Sequence, residues 1–248
     1  MTEPQEPSVT LVTGGSSGIG AAVVHRLHAD GHRILATYHQ HPERAEALTT
    51  RLDPQQHRLA FTRADLSDAD SIARLASQAA GRYGRLDTVV HCAAVIDTTA
   101  LDNLTAEHFD AVLHANVTAP FLLLRAAAAH PTFRAAVTIS SIAATFTGPD
   151  SAAYEASKAA LSMLTRSLAA AYAPHARINA IAPGAVETER SLTDRAFPRG
   201  MLRERIPLGR LATPGDIAAT TAYLLSPDAA YLTGQIITVD GGLSLKLT

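Results

Sequence analysis

The chain of 248 residues is 47% hydrophobic and 18% charged, with a formal net charge of −2, which suits a globular protein with a sizeable core and excludes disordered and collagen-like classes. Near-neutral charge with no Lys/Arg run leaves no electrostatic footprint for nucleic acid, and the single cysteine, Cys92, cannot close an internal disulfide, in keeping with a reducing compartment. No uncharged apolar run approaches the ~20 residues of a membrane span, and Met1–Pro7 is acidic and Pro-containing where a secretion signal would be basic and then apolar, so no membrane partner and a cytoplasmic location are expected.

Along the chain, short β-rich apolar runs alternate with longer helical patterns. A strand is predicted at Val9–Val12, then a glycine-rich turn and a helix over Ile19–Asp30. The strand Arg33–Thr37 precedes a helix at Pro42–Leu52, and Arg58–Thr62 precedes one at Ser67–Tyr83. Strands follow at Thr88–His91, Ala136–Ile139, Ile178–Ile181 and Ile236–Val239, separated by helices at Ala106–Ala129, Ala152–Tyr172 and Pro214–Leu225. Thr213, Pro214 and Asp216 make a strong start for the last helix, because Thr caps, Pro suits the first turn and Asp complements the dipole. Unbroken alternation without a linker or internal repeat implies one α/β domain over 1–248 around a parallel sheet. The long irregular stretch from Pro183 to about Pro207 is expected to be a functional lid at about 184–207, or else disordered.

The first strand runs into Thr13-Gly14-Gly15-Ser16-Ser17-Gly18-Ile19-Gly20 and directly into a helix. Such a turn brings backbone N–H groups and the positive end of a helix to one place, which suits a pyrophosphate. A nucleoside-triphosphatase loop would continue with Lys-Ser or Lys-Thr, whereas this chain continues Ala21-Ala22. An ordinary tight turn is the bland alternative. Near the end of the second strand, Thr37-Tyr38-His39-Gln40-His41 lacks the carboxylate that grips an adenosine ribose 2′-hydroxyl. His39, His41 and Arg44 could face a 2′-phosphate instead, favouring NADP(H) over NAD(H), or they are solvated loop residues.

Tyr154 and Lys158 are four residues apart at a helix start, which puts phenol and ammonium on one face. A free tyrosine has a pKa of about 10, and a neighbouring cation stabilises its phenolate, as a general acid at neutral pH requires. Surface pairs share this spacing. Ser141, at the end of the fifth strand, could polarise a substrate carbonyl or merely cap a turn, and Asn116 could support a proton relay to Lys158 or be a satisfied core amide.

Jointly these residues resemble the short-chain dehydrogenase/reductase family over nearly the whole chain, from about Val9 to Gly242. The resemblance implies a doubly wound (Rossmann) three-layer sandwich with a seven-stranded parallel sheet and a tetrad of Asn116, Ser141, Tyr154 and Lys158. Within it Tyr154 donates a proton, Ser141 orients the substrate oxygen, Lys158 holds the nicotinamide ribose and tunes Tyr154, and Asn116 sustains the relay. Cofactor contacts are implied at Gly14, Ser16, Ser17, Gly18, Ile19, Gly20, His39, Asp65, Leu66, Ala93, Tyr154, Lys158, Pro183, Gly184, Val186 and Thr188. Gly209–Ile217, Tyr231–Gln235 and Asp240–Gly242 look most similar to 3-oxoacyl-carrier-protein reductases, implying an NADPH-dependent ketoreductase of β-ketoacyl thioesters, possibly carrier-bound, and a homotetramer. The alternatives are an alcohol, sugar or steroid dehydrogenase of the same family and a non-catalytic dinucleotide sensor.

The chain departs from the family where Asn-Asn-Ala-Gly is usual after the fourth strand: it has His91-Cys92-Ala93-Ala94, which puts local cofactor contacts in question. His91 reads as a structural group and Cys92 as a small buried hydrophobe. The Ala126–Arg134 and Ala170–Arg177 segments are poor in charge for docking an acidic carrier. In the lid, Arg190, Arg195, Arg199, Arg203 and Arg205 are nearly balanced by Glu187, Glu189, Asp194 and Glu204. Scattered histidines suggest no metal site.

Overall fold

A computed structural model describes residues 6–148, 150–193 and 199–246. Seven strands form one parallel sheet: β1 (Val9–Thr13), β2 (Arg33–Tyr38), β3 (Leu59–Arg63), β4 (Thr88–His91), β5 (Ala135–Ile139), β6 (Arg177–Pro183) and β7 (Ile236–Val239), in the order β3-β2-β1-β4-β5-β6-β7. β1 is buried along its whole length, as a strand covered on both faces must be. Successive side chains point to opposite faces, so Leu11 enters one core and Val12 the other.

The Leu11 core is closed by α3 (Ala69–Tyr83), α5 (Ala119–Ala128) and α6 (Ala152–Tyr172), and the Val12 core by α1 (Gly18–Ala29) and α9 (Pro214–Leu225). α2 (Pro42–Leu52) lies beside β3, and α4 (Ala106–Leu113) packs on α6. Each fully buried Leu or Ile here contributes roughly 1.5–3 kcal/mol. The register of β1 against β4 is set at the opposite end of the sheet by Asp87, fully buried, which accepts the Val9 N–H at 2.8 Å and pairs with Arg85 at 2.7 Å.

Two sequence expectations change. The helix expected over Ala106–Ala129 is interrupted by a widened π-type turn, His114–Thr118, between α4 and α5. This stretch is long and apolar enough, by length and composition alone, to cross a membrane, but Leu123, Leu124 and Ala127 are buried in the core against α3. The stretch expected to be irregular before Pro207 contains α7 (Glu189–Thr193) and α8 (Arg199–Arg205). Residues 194–198 of the stretch expected to be a lid, Arg195 and Asp194 among them, lie outside the described residues, as do the side chains of Arg190 and Arg199.

Candidate active site

β1 and β4 are neighbours, but the chain leaves them for opposite layers, which opens a crevice beyond their C-terminal ends. Gly14 stands at φ +64°, and a Cβ there would lie 2.9 Å from both the nitrogen and Cα of Ala93. A Cβ at Gly20 would overlap the Gly14 carbonyl. The turn is held from β2, where Thr37 accepts the Gly14 N–H through Oγ1 at 3.0 Å and the Gly15 N–H through its carbonyl at 2.9 Å. Ser17 precedes α1 with extended backbone and makes no side-chain cap. The result is a backbone cradle at a helix N-terminus that any side chain would fill, so the residues present fit a dinucleotide pyrophosphate.

At the exit of β3, Asp65 accepts the N–H and hydroxyl of Ser67 at 2.9 and 2.8 Å, and its other oxygen lies 3.3 Å from His39 Nε2. The Ser67 hydrogen bonds, with His39 adding charge, hold the Asp65 carboxyl below its ordinary range. Leu66 packs against the core. His41 pairs with Glu43 at 3.0 Å and Arg44 with Glu189 at 2.9 Å. The three side chains expected to face a 2′-phosphate therefore all lie against carboxylates in this structure.

Lys158 is 2% exposed on α6 and donates from Nζ to the Ile139 carbonyl at 2.8 Å, with Nζ 5.5 Å from the centre of the Tyr154 ring. Phenol and ammonium thus share the face that helical spacing dictates. Burial lowers the lysine to about 8. Its carbonyl accepts hydrogen bonds from Ser140 and Ser162 at 3.1 and 2.9 Å. Ser141 begins a single 3-10 turn, Ile142–Ala144, that packs against α6, and its oxygen accepts the Ala143 N–H at 3.1 Å. The hydroxyl proton is then directed elsewhere, so capping a turn and donating to a ligand are compatible.

Asn116 sits in the widened turn, wholly buried. Its amide accepts the Val95 N–H and donates to the Val95 carbonyl, both at 2.8 Å, and donates to Ser157 Oγ at 3.0 Å. Ser157 in turn donates to the Tyr154 carbonyl at 2.6 Å. Asn116 is therefore a clamp between the loop after β4 and the helix bearing Tyr154, and its side-chain amide is committed to that task. Ser157 escaped the sequence reading, although its place three residues after Tyr154, within reach of that carbonyl, was the available signal.

His91 Nδ1 lies 2.9 Å from Thr13 Oγ1, and burial depresses this histidine to about 3, keeping it neutral. Burial also pushes the Cys92 thiol up to about 12, away from nucleophilic use. Ala94 is not among the residues of positive φ, so its methyl is carried without backbone strain, and Ala93 donates its N–H to Thr13 Oγ1 at 3.3 Å.

β6 ends at Pro183, and a Cβ on the following Gly184 would lie 2.9 Å from Asp240 Cα. Val186 bridges to Ala212, and Thr188 is tied to Ser191, its N–H donating to Oγ at 2.9 Å. The Thr188 methyl lies 3.4 Å from the Cβ position of Gly18, so the start of α7 rests over the glycine turn. Among the described residues, no group of three His, Cys, Asp or Glu is placed to hold a metal ion.

Residues 14–244 match a family model described as Enoyl-(Acyl carrier protein) reductase. A 3beta-hydroxysteroid dehydrogenase from Eggerthella lenta is 33% identical over 99% of this chain and 97% of its own length. The chain belongs to the short-chain dehydrogenase/reductase family. A 3-oxoacyl-acyl-carrier-protein reductase from Synechocystis sp. is 31% identical over 95% of this chain and 96% of its own length. The crystal structure of a short-chain dehydrogenase from Burkholderia cenocepacia in complex with NADP superposes with a TM-score of 0.89 at 31% identity, covering 96% of this chain and 98% of that one. The protein is thus an NAD(P)-dependent short-chain oxidoreductase with the doubly wound fold of its family.

Proposed function

We propose that the protein is an NADPH-dependent ketoreductase that reduces a β-ketoacyl thioester, carried on CoA or an acyl carrier protein, to the β-hydroxyacyl product. The observation that carries the chemistry is the buried Lys158 ammonium beneath the Tyr154 ring. A nicotinamide held there would supply a hydride for the carbonyl carbon. Tyr154 gives its hydroxyl proton to the carbonyl oxygen, and the charge on Lys158 stabilises the phenolate left behind. Ser141 donates to the same oxygen and orients it. Asn116 keeps α6 and the loop after β4 in register for a proton path to Lys158.

Gly14, Ser16, Ser17, Gly18, Ile19 and Gly20 would hold the pyrophosphate, Asp65 and Leu66 the adenine, Ala93, Pro183, Gly184, Val186 and Thr188 the nicotinamide end, and Lys158 its ribose. The 2′-phosphate reading is supported by the absence of Asp and Glu from residues 37–41 and by the presence there of His39. The thioester reading is supported by the carrier-protein reductase relative and by Val95 and Ile96, apolar yet 43% and 45% exposed beside the Asn116 clamp, where an acyl chain could lie. We place the enzyme in the cytoplasm as a homotetramer. The steroid dehydrogenase relative favours an alternative in which the same machinery serves a secondary alcohol.

Loss of reduced-nicotinamide absorbance, followed with acetoacetyl-CoA, a 3-ketoacyl carrier protein, steroid ketones and sugars, tests these readings. Turnover of the ketoacyl thioesters with NADPH exceeding that with NADH is expected. Activity confined to steroids or sugars would overturn the thioester assignment, and light scattering in solution checks the tetramer.

A further inference from the structure

We infer that Glu189, the first residue of α7, is a specificity-determining residue for the dinucleotide: by holding Arg44 it restrains the selection of NADP(H) over NAD(H). The inference rests on the proposed position of the 2′-phosphate at the end of β2. Arg44 lies in the first turn of α2, immediately beyond that strand end, where doubly wound folds receive the adenosine ribose. Its Nη2 lies 2.9 Å from Oε1 of Glu189, 145 positions away in sequence. Glu189 directly follows Thr188, whose methyl sits 3.4 Å from the Cβ position of Gly18. The ion pair therefore runs from the adenosine end of the cleft to the segment resting over the glycine turn.

The partners of the neighbouring histidines differ in kind from that of Arg44. His41 is paired with Glu43, two residues away on its own helix start, and His39 with Asp65, whose carboxylate is also fixed by Ser67. The partner of Arg44 comes from α7. A guanidinium offers a planar fork that matches phosphate well, but one paired with a carboxylate is neutral as a unit. A 2′-phosphate must displace Glu189 to gain that guanidinium, and this penalty acts against NADP(H). A 2′-hydroxyl meets no such penalty, so NAD(H) binding is indifferent to Glu189. The side chains are 35% and 61% exposed, so the effect should have the size of a surface ion pair, about three- to fivefold in affinity.

Dissociation constants for NADPH and NADH, measured by titration calorimetry without carbonyl substrate, test this on the wild type, Glu189→Gln, Arg44→Ala and the double variant. Glu189→Gln is expected to tighten NADPH by about three- to fivefold, to leave NADH unchanged, and to lose most of that gain in high salt. The double variant should match Arg44→Ala. An unchanged NADPH-to-NADH ratio in Glu189→Gln, an equal shift for both cofactors, or a gain that persists in full without Arg44 would overturn the inference. The wild-type ratio is a separate readout: a preference for NADH would remove the NADPH reading above, while a shift toward NADPH in Glu189→Gln from that baseline would still support the role of Glu189.

Discussion

Lys158 keeps an ammonium where water barely reaches it, and burial brings its pKa down from 10.5 to about 8. The charge that supports Tyr154 is therefore present at neutral pH and lost as pH rises through about 8, so kcat/KM for reduction should fall on the alkaline side with a midpoint near that value. The stability consequence has the opposite sign. Between the folded pKa of about 8 and the ordinary 10.5 the unfolded chain binds more protons than the folded one, so this group's contribution to stability rises with pH across that window. Below the window the buried charge costs on the order of 3 kcal/mol. Denaturant titrations on both sides of the window, compared between wild type and Lys158→Met, isolate the term: the variant should lose activity together with that rise. A rise of equal size in both proteins would assign it to other groups.

At the scale of elements, start and stop signals were legible wherever the chemistry is local. Thr213 caps α9 as read, in a complete capping box: Asp216 Oδ2 accepts the Thr213 N–H at 2.6 Å and the Thr213 oxygen accepts the Asp216 N–H at 3.2 Å. Arg210 adds a two-pronged contact at 2.7 and 3.0 Å, and it is the largest cause holding the Asp216 carboxyl far below its ordinary 3.8. This contribution is complete above that ordinary value and is lost as pH falls through the lower folded pKa, so it is an acid-labile support. Asp216→Ala should cost about 1–2 kcal/mol in urea unfolding near neutral pH, with little change in dinucleotide affinity, because α9 braces α1 from behind. Wild-type stability would indicate that the cap is redundant. The widened turn at His114–Thr118 was not legible, because Ala and Leu periodicity reads the same for either bond pattern. What marks this turn out is the Asn116 side chain tied to Val95 and Ser157, two partners remote in sequence.

For the whole molecule, the sheet followed from alternating apolar strands and one glycine turn, since a doubly wound chain has few ways to bury both faces. The side-chain pairs beyond the end of β2 did not follow, because Asp65, just past β3, and Glu189, on α7, reach His39 and Arg44, and sequence distance hides such pairs. The same long-range closure means that a dinucleotide held in the cradle would tie distant elements together: the cradle touches Ala93 at the exit of β4, Thr37 of β2 and Thr188 before α7. Binding to the folded state alone stabilises it by about 2.7 kcal/mol at a hundred times the dissociation constant, which for a chain of this size should raise the melting temperature by roughly 5–10 °C. Gly14→Ala places a methyl against Ala93 and forces a left-handed φ on a residue that disfavours it, so it should lower the melting temperature of the free protein by a few degrees and abolish the cofactor-induced rise. Tyr154→Phe, which keeps the cradle, should retain most of the rise while losing turnover. A full rise in Gly14→Ala would place the pyrophosphate elsewhere, whereas loss of the rise in Gly14→Ala alone locates binding in the turn and chemistry on α6.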